Sequence, residues 1–501
     1  MLQTTTSPTL DGLFRRVLAR RPDALALVDP ADKARITGQP PRQLSFAQAD
    51  RAIDALAAHF IAAGLPPNSV IALHLPNTIE FPLAVLAAHR AGLVVALLPQ
   101  LWRHADLTVA LNRIGARAIV SHATIDGVSH ADLAMNAAVE AFSIRHVCGF
   151  GDNLPDGMIS LDEVIARGER LTFAAPPDAR NAALISFDVT PYGMVAVPRT
   201  HLNLIAGGLA IFLESGMPQG ARMMTTQTLS SFAGMASSLV CWLLSGGSLA
   251  LHHPFDGDVL ETQIADLQCD TLVVPSAMAM RLAEDEPSPQ LRTLRHVVCL
   301  WRSPEQTASS AAWPARHVAF TDVYLFGEIG LFGARRPDDT GLPAAIVPGP
   351  FSAPRDDTRS PVAGETLLTP AGTLALRGAM VPVAAYAAAA AEHSLRETDP
   401  APNHVDTGYA ARIDRATGAL CITAPPSGIM AIGGYRFLAD DLQTWAKRLG
   451  EGAMLTALPD RLSGHRLAGR AGDNARARAA LADLGLNPLM VEAFRDSTPS
   501  E

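Results

Sequence analysis

Residue types that commonly carry catalysis or metal binding are sparse and scattered in this sequence. No two cysteines form a C-x-x-C pair, and no histidine cluster has metal-ligand spacing. His252 and His253 are adjacent, but Pro254 follows them, which is more typical of a strand entering a turn than of a metal site. G-x-S-x-G, Walker and G-x-G-x-x-G patterns are absent. The sequence therefore predicts no metal site and gives no support to a hydrolase or a dinucleotide-binding protein. The five cysteines are Cys148, Cys241, Cys269, Cys299 and Cys421.

Lysine is almost missing, which limits the chemistries that depend on a placed ammonium group. Of 40 basic residues, only Lys33 and Lys447 are lysines. The net charge is −9 and no dense basic tract is present, so neither a nucleic acid nor an anionic membrane is expected as a partner. Hydrophobic residues make up 48% and charged residues 18%, as in a packed globular chain. With no signal peptide and no apolar run of spanning length, a cytoplasmic location is expected.

The hydrophobic pattern places these residues on alternating helices and strands. Residues 44–63 predict a helix in which Ser45 is the N-cap and Gln48 completes a capping box. Such alternation predicts βαβ units and a largely parallel sheet covered by helices. The predicted strands are 68–76, 93–99, 116–122, 181–187, 248–253, 271–275 and 296–301, and the predicted helices include 79–92, 104–115 and 474–485.

A change in composition predicts the domain organisation. Residues 337–375 are rich in Pro, Gly, Asp and Thr, which indicates a small β subdomain. The best linker candidate is TAPPSG at 423–428, where paired prolines precede a glycine. The expected fold is therefore α/β, with a large N-terminal domain of stacked α/β sheets plus a β subdomain (1–423). A small, shortened α+β C-terminal domain (424–501) is expected after it.

The order of these segments resembles the adenylate-forming superfamily, which includes acyl-CoA synthetases, aryl-CoA synthetases and peptide-synthetase adenylation domains. The resemblance begins at residues 44–99 and covers nearly the whole chain in the family's order. Its later segments read VYLFGEIG (323–330), DTGYAARIDRATGAL (406–420) and GGYRFLADDL (433–442). Such enzymes join a carboxylate to AMP from ATP with Mg²⁺ and then pass the acyl group to coenzyme A or another thiol. The resemblance implies catalysis by positioning and by neutralising phosphate charge.

The segment that should cradle phosphate departs from the family pattern. The family has a Ser/Thr/Gly-rich loop ending in Pro-Lys-Gly, whereas this chain has FDVTPYGMVAV at 187–197. Thr190 survives, but Asp188 replaces a serine, Val189 and Tyr192 replace glycines, and Val195 replaces the lysine. A Cβ obstructs the approach of backbone N–H groups to phosphate, and the Asp188 carboxylate would repel it. We therefore expect a degenerate phosphate loop that forms a packed surface loop.

Other motif positions also differ from those that the resemblance implies. Glu328 falls on the metal-linked glutamate, but Gly327 replaces its hydroxyl neighbour. Tyr409 replaces the ribose-binding aspartate, and Trp301 stands where its indole would fill the adenine space. We expect Thr190 and Glu328 to be vestiges of a nucleotide site. His201 and Ser231 are candidates for an acyl pocket, although a structural role for His201 at a helix start is equally consistent with the sequence.

The C-terminal lysine of the family has no counterpart. Lys447 directly follows the GGYRF strand and is too early in the chain. The run at 458–469 can be aligned with the family in two ways. It matches either an internal segment of the family, which we prefer, or a degenerate terminal segment in which His465 occupies the lysine position. Under the preferred alignment a helix–strand region follows at 485–494.

Two hypotheses follow from these departures. The favoured one is a catalytically degenerate homologue, a pseudoenzyme that binds a small carboxylic acid, an acyl thioester or a protein partner rather than adenylating with ATP. The alternative is a divergent, active carboxylic acid–CoA ligase that uses ATP, Mg²⁺ and coenzyme A. In the alternative, arginines such as Arg199 or Arg302 replace the lost lysines, because a guanidinium clamps phosphate well.

Overall fold

A computed structural model describes residues 8–171, 178–284, 289–313, 317–352, 362–382, 404–460 and 464–495. Two large sheets, mostly parallel, form the greater part of the fold and bury most of the apolar side chains between strands and helices. In order across the eight-stranded sheet, the strands are Gly330–Arg335, Ala319–Phe326, His296–Trp301, Thr271–Pro275, Arg222–Thr225, Ser248–Leu251, Leu25–Val28 and Gln43–Ser45. The seven-stranded sheet runs Gly193–Thr200, Ala182–Thr190, Val94–Leu97, Val70–Leu73, Ala118–His122, His146–Phe150 and Ile159–Ser160.

Helices cover these sheets, as the βαβ pattern predicted. The helix Phe46–Ala62 begins at the capping box formed by Ser45 and Gln48, which confirms the start read from the sequence. The remaining helices of this part are Leu10–Arg20, Lys33–Thr37, Glu80–Arg90, His104–Ile114, His130–Glu140, Leu161–Arg167, His201–Glu214, Phe232–Gly234, Cys241–Ser245, Gly257–Leu267 and Ser276–Glu284. A π-helical turn, Met235–Val240, and 3₁₀ turns at Pro289–Leu291 and Pro304–Ser309 complete it, with a small hairpin of Thr124–Ile125 and Val128–Ser129.

The predicted β subdomain is a five-stranded antiparallel sheet. It extends further along the chain than the composition change indicated, because Val405–Ile413 and Leu420–Ala424 join it. In sheet order the strands are Gly349–Ser352, Val362–Leu368, Thr373–Gly378, Val405–Ile413 and Leu420–Ala424.

The segment after residue 424 is α+β and has its own apolar core. It starts with a hairpin, here called the 429–438 hairpin, made of Ile429–Ile432 and Tyr435–Leu438. The expected helix–strand region at 485–494 forms only the short helix Pro488–Glu492, after which Phe494 packs on Gly469. Its other elements are Ala439–Arg448, the paired strands Met454–Asp460 and Gly464–Arg470, and the helix Asn474–Asp483. Among the described helices, none is both long and apolar enough to cross a membrane.

Candidate functional site

The segment expected to be a phosphate loop is a β-hairpin, so the expectation of a surface loop was wrong. Asp188 and Val189 lie in the strand Ala182–Thr190, and Val195 lies opposite Asp188 in the strand Gly193–Thr200. Only Pro191 and Tyr192 separate the two strands. Valines favour the pleated strand, and glycine at 193 accepts the left-handed φ of +105° that ends the turn. We call this element the 182–200 hairpin.

The surviving threonine of this segment is used inside its turn. The Thr190 hydroxyl donates to the Gly193 carbonyl oxygen at 3.1 Å and accepts the Tyr192 N–H at 3.2 Å. The Tyr192 side chain is 62% exposed at the tip of the hairpin. Thr190 and Tyr192 therefore stabilise a tight turn rather than line a phosphate cradle.

Asp188 is the centre of a buried network that joins three parts of the chain. Its carboxylate accepts hydrogen bonds from the Arg436 guanidinium at 2.9 Å and from the Glu328 backbone N–H at 2.8 Å. Arg436 belongs to the 429–438 hairpin and also donates to the Tyr409 hydroxyl at 2.6 Å. Burial raises the pKa of Tyr409, so its hydroxyl is neutral and accepts from the arginine. We call Asp188, Tyr409 and Arg436 the Arg436 network.

The residue before Glu328 is adapted to the Arg436 network. Gly327 has a left-handed φ of +56°, and a Cβ there would overlap both the Asp188 carboxylate and the Arg436 guanidinium. Glycine is the residue that accepts this backbone conformation most readily. Asp188, Gly327 and Tyr409, three residues expected from the sequence to depart from the family pattern, thus surround one arginine. Arg436 was not identified from the sequence. The joint presence of Asp188 and Tyr409, an acid and a phenol at positions where the family has other residues, could have indicated that a cation lies between them.

Glu328 faces inward and is held by protein groups. Its carboxylate accepts the Phe232 N–H at 2.9 Å, and Arg199 lies 4.0 Å away. Burial raises the pKa of Glu328, and Arg199 opposes that shift. Arg199 is itself buried; its guanidinium lies 3.8 Å from the Phe232 ring centroid and donates to the backbone carbonyl of Glu328. Burial lowers the pKa of Arg199 to about 10.

Two cavities adjoin these residues. The first, of about 240 Å³, lies between the 182–200 hairpin and the segment after 424, and its wall includes Trp102, Phe187, Val189 and Trp445. The second, of about 270 Å³, lies towards the ends of the central strands of the eight-stranded sheet. The residues that line both cavities are Pro99, Phe187, Ser231, Arg302, Glu328, Ala431, Gly434 and Tyr435.

The two acyl-pocket candidates fall in different places. Ser231 lines both cavities, where its hydroxyl accepts the Gly234 N–H at 3.1 Å and caps a helix. His201 lines neither of them: it is 2% exposed, its ring lies edge-on to His89 at 4.6 Å, and Leu10 N–H approaches its Nδ1 at 3.4 Å. Burial lowers the pKa of His201 to about 2. Of the two roles that the sequence allowed for His201, its packing in the core agrees with the structural one at a helix start.

The end of the strand His296–Trp301, where Trp301 was expected to fill the adenine space, also differs from expectation. The Trp301 indole turns into the core and donates to Asp322 at 2.7 Å, so it does not fill a nucleotide space. Arg302 points into the cavities instead, and donates to the Gly434 carbonyl at 3.0 Å and to the Gln227 side-chain oxygen at 3.0 Å. Gln227 was not identified from the sequence, because no motif marks it.

Neither lysine lines either of the two cavities. Lys33 is buried against Asp29 at 2.9 Å and Glu80 at 2.6 Å, in an ion cluster within the N-terminal part. Lys447 is exposed on the helix Ala439–Arg448. His465 pairs with Pro459 across the strands at 454–470 and does not line either cavity.

Comparison with known proteins places this architecture in a family. A family model described as AMP-binding enzyme matches residues 14–339, more than half of the chain. The chain belongs to the adenylate-forming AMP-binding enzymes. It is 29% identical over 203 residues to a salicyl-AMP ligase/salicyl-S-ArCP synthetase of Mycobacterium tuberculosis, a match that covers 40% of this chain and 35% of that protein. It is 23% identical over 297 residues to a medium-chain fatty-acid–CoA ligase of Escherichia coli, covering 58% and 50%. The matches thus span a third to a half of these relatives.

Solved structures share the fold over almost the whole chain. The amide bond synthetase McbA of Marinactinospora thermotolerans superposes with a TM-score of 0.69 at 19% identity, covering 96% of this chain and 94% of that one. The apo structure of MbtA of Mycobacterium smegmatis gives 0.66 at 20% identity, covering 95% and 88%. The similarity confirms the fold class expected from the sequence.

Proposed function

We propose that this AMP-forming-ligase-like protein does not adenylate with ATP and instead holds an acyl ligand or a partner. The observation that carries the proposal is the Arg436 network. Its carboxylate and guanidinium lie where the resemblance places phosphate chemistry, and each is already paired with the other. A triphosphate there would have to displace a buried ion pair and would meet the Asp188 carboxylate.

The available cations support the same proposal. Arg199 and Arg302 were the arginines expected to replace lysine in an active enzyme. Arg199 is enclosed by the Phe232 ring and by backbone carbonyls, whereas Arg302 points into the cavities from the turn after His296–Trp301 and not from the 182–200 hairpin. Removing one preorganised charge-stabilising donor from an active site commonly lowers the rate about 10²–10³-fold. Since both lysine positions are lost, the expected adenylation rate is very low.

The residues that would hold Mg²⁺ fit it poorly. Glu328 is the carboxylate that the resemblance links to the metal, but it already accepts the Phe232 N–H and faces the Arg199 guanidinium, which would repel a cation. Mg²⁺ normally binds one or two carboxylates together with substrate phosphates and waters. We therefore derive no catalytic step through ATP, Mg²⁺ or coenzyme A.

The test is ATP–pyrophosphate exchange with a panel of small carboxylic acids, beside an intact acyl-CoA ligase. We expect no exchange above the no-enzyme background for the wild-type chain. Acid-dependent exchange would refute the proposal and favour the active ligase that uses ATP and coenzyme A. The division of the chain at residue 424 and the cytoplasmic location remain predictions.

A further inference from the structure

A further cavity, separate from the two already described, is lined by three arginines. It has a volume of about 250 Å³ and shares no lining residue with either of the other two. It lies at the edge strand Gln43–Ser45 of the eight-stranded sheet, where the helices Phe46–Ala62 and Leu161–Arg167 pack together. We call it the Arg51 cavity. Its arginines, each from a different segment, are Arg42, Arg51 and Arg170.

Two of these guanidinium groups have no acid that neutralises them. Arg42 forms an ion pair with the buried Glu80, which also binds Lys33. Arg51 and Arg170 are exposed, and neither forms an ion pair within the described part of the chain. The wall of the Arg51 cavity contains no Asp or Glu. The cavity is therefore a local concentration of positive charge on a chain whose net charge is −9.

The polar side chains of this wall offer a ligand hydrogen-bond donors. A guanidinium only donates. The other polar side chain of the wall is Gln48, whose oxygen is engaged because it accepts the Ser45 N–H at 2.8 Å in the capping box. The amide NH₂ of Gln48 is therefore the end left for a ligand. Since Gln48 also lies in the first turn of the helix Phe46–Ala62, the positive end of that helix dipole adds to the attraction for an anion.

The rest of the wall is apolar, which favours an organic anion over an inorganic one. Leu44, Ala52, Leu83 and Ile165 contribute to it. The volume is just under the ~300–1,000 Å³ that is usual for sites of drug-sized ligands, so the organic group is compact. Guanidinium groups match the oxygens of phosphate with charge-assisted hydrogen bonds. A doubly charged phosphate also suits several arginines better than a singly charged carboxylate does.

We infer that the Arg51 cavity binds a small organic phosphate monoester, with the phosphate on Arg51 and Arg170 and the apolar group against Leu83 and Ile165. The inference goes beyond the proposed function, because no residue of the other two cavities takes part in it. ATP·Mg²⁺ is not the expected ligand. It is too large for this cavity, and the wall has no carboxylate that could hold the metal.

Calorimetry with phenyl phosphate at pH 8 tests this assignment. The comparison probes are phenyl sulfate, which has nearly the same shape and a single charge, and inorganic phosphate, which lacks the apolar group. We expect phenyl phosphate to bind about tenfold or more tightly than either of them. Arg51→Gln and Arg170→Gln should each weaken it about tenfold, the lower end for a charge-assisted hydrogen bond, because both arginines are exposed. The control Arg16→Gln, at an exposed arginine outside the cavity, should leave binding unchanged.

Four results would overturn the inference. The first is absence of phenyl phosphate binding up to millimolar concentration by protein shown to be folded by circular dichroism. The second is equal affinity for phenyl phosphate and phenyl sulfate, a comparison that needs no variant to fold. The third is unchanged affinity in both Arg51→Gln and Arg170→Gln, and the fourth is displacement of phenyl phosphate by ATP·Mg²⁺. Because pyrophosphate exchange is measured separately, failure of this inference is distinguishable from failure of the proposed function.

Discussion

Replacing Arg436 by alanine tests the network on which the proposed function depends. The side chains of Arg436 and Asp188 are 15% and 5% exposed, and the substitution leaves the Asp188 carboxylate buried with only backbone N–H donors. Breaking a buried ion pair by removing one partner typically costs 3–5 kcal/mol. Since Arg436 borders a cavity that water can enter, we expect the lower end, a loss of about 3 kcal/mol in the free energy of unfolding.

The assay is denaturant unfolding followed by tryptophan fluorescence, with a double-mutant cycle. Asp188→Asn keeps an acceptor for the Glu328 N–H but removes the charge. The double variant should lose less stability than the sum of the single variants, by about 1.5–3 kcal/mol. Hydrogen exchange should also become faster in Tyr435–Leu438 of the Arg436→Ala protein.

The matched control is an arginine in an exposed ion pair. Arg495 pairs with Glu492, and their side chains are 70% and 47% exposed. Arg495→Ala should change the unfolding free energy by no more than about 1 kcal/mol. If Arg436→Ala resembles this control, or if the cycle is additive within about 0.5 kcal/mol, the network does not hold the two hairpins together and the reasoning fails.

Two further predictions concern backbone space and pH. Gly327→Ser should lower the thermal denaturation temperature more than Gly115→Ser. Both glycines have a left-handed φ (+56° and +59°), but only at Gly327 do neighbouring side chains occupy the space of the new Cβ. Equal effects of the two substitutions would show that backbone strain alone matters. Burial lowers the pKa of His89 and His130 to about 4 and of His201 to about 2, so the unfolded chain takes up protons that the folded one does not as pH falls below 6.5. The free energy of unfolding should therefore fall by about 2 kcal/mol per histidine between pH 7 and pH 5, and His201→Asn should flatten this dependence; an unchanged slope would contradict the assignment.

Much of the fold was predictable because local patterns and tertiary packing agree. The capping box at Ser45 and the apolar strands at 70–73 and 94–97 formed where periodicity placed them. The loop expected at 187–197 was wrong because Val189 and Val195 lie in two strands that pair across a two-residue turn, an option that motif alignment does not consider. The role of His201 could not be decided from the sequence for a different reason: residue order alone does not show which side of this helix meets the core.

The candidate site was predictable only in part. Asp188, Gly327 and Tyr409 were singled out individually from the sequence, but their common contact with Arg436 depends on two hairpins almost 250 residues apart in sequence. Gln227 and Arg302 form a pair for the same reason, since they lie at the ends of different strands of one sheet. Such groups of residues depend on the topology of the sheets and cannot be predicted from the spacing of residues along the sequence.

The central claim is that this chain has the fold of an adenylate-forming ligase but has no working ATP site. The most direct test is calorimetric titration of the folded, wild-type protein with ATP·Mg²⁺ up to millimolar concentration, with an intact ligase as the positive control. We predict no saturable heat for this chain. Micromolar binding of ATP·Mg²⁺ would contradict the claim and would mean that the Arg436 network opens to admit phosphate.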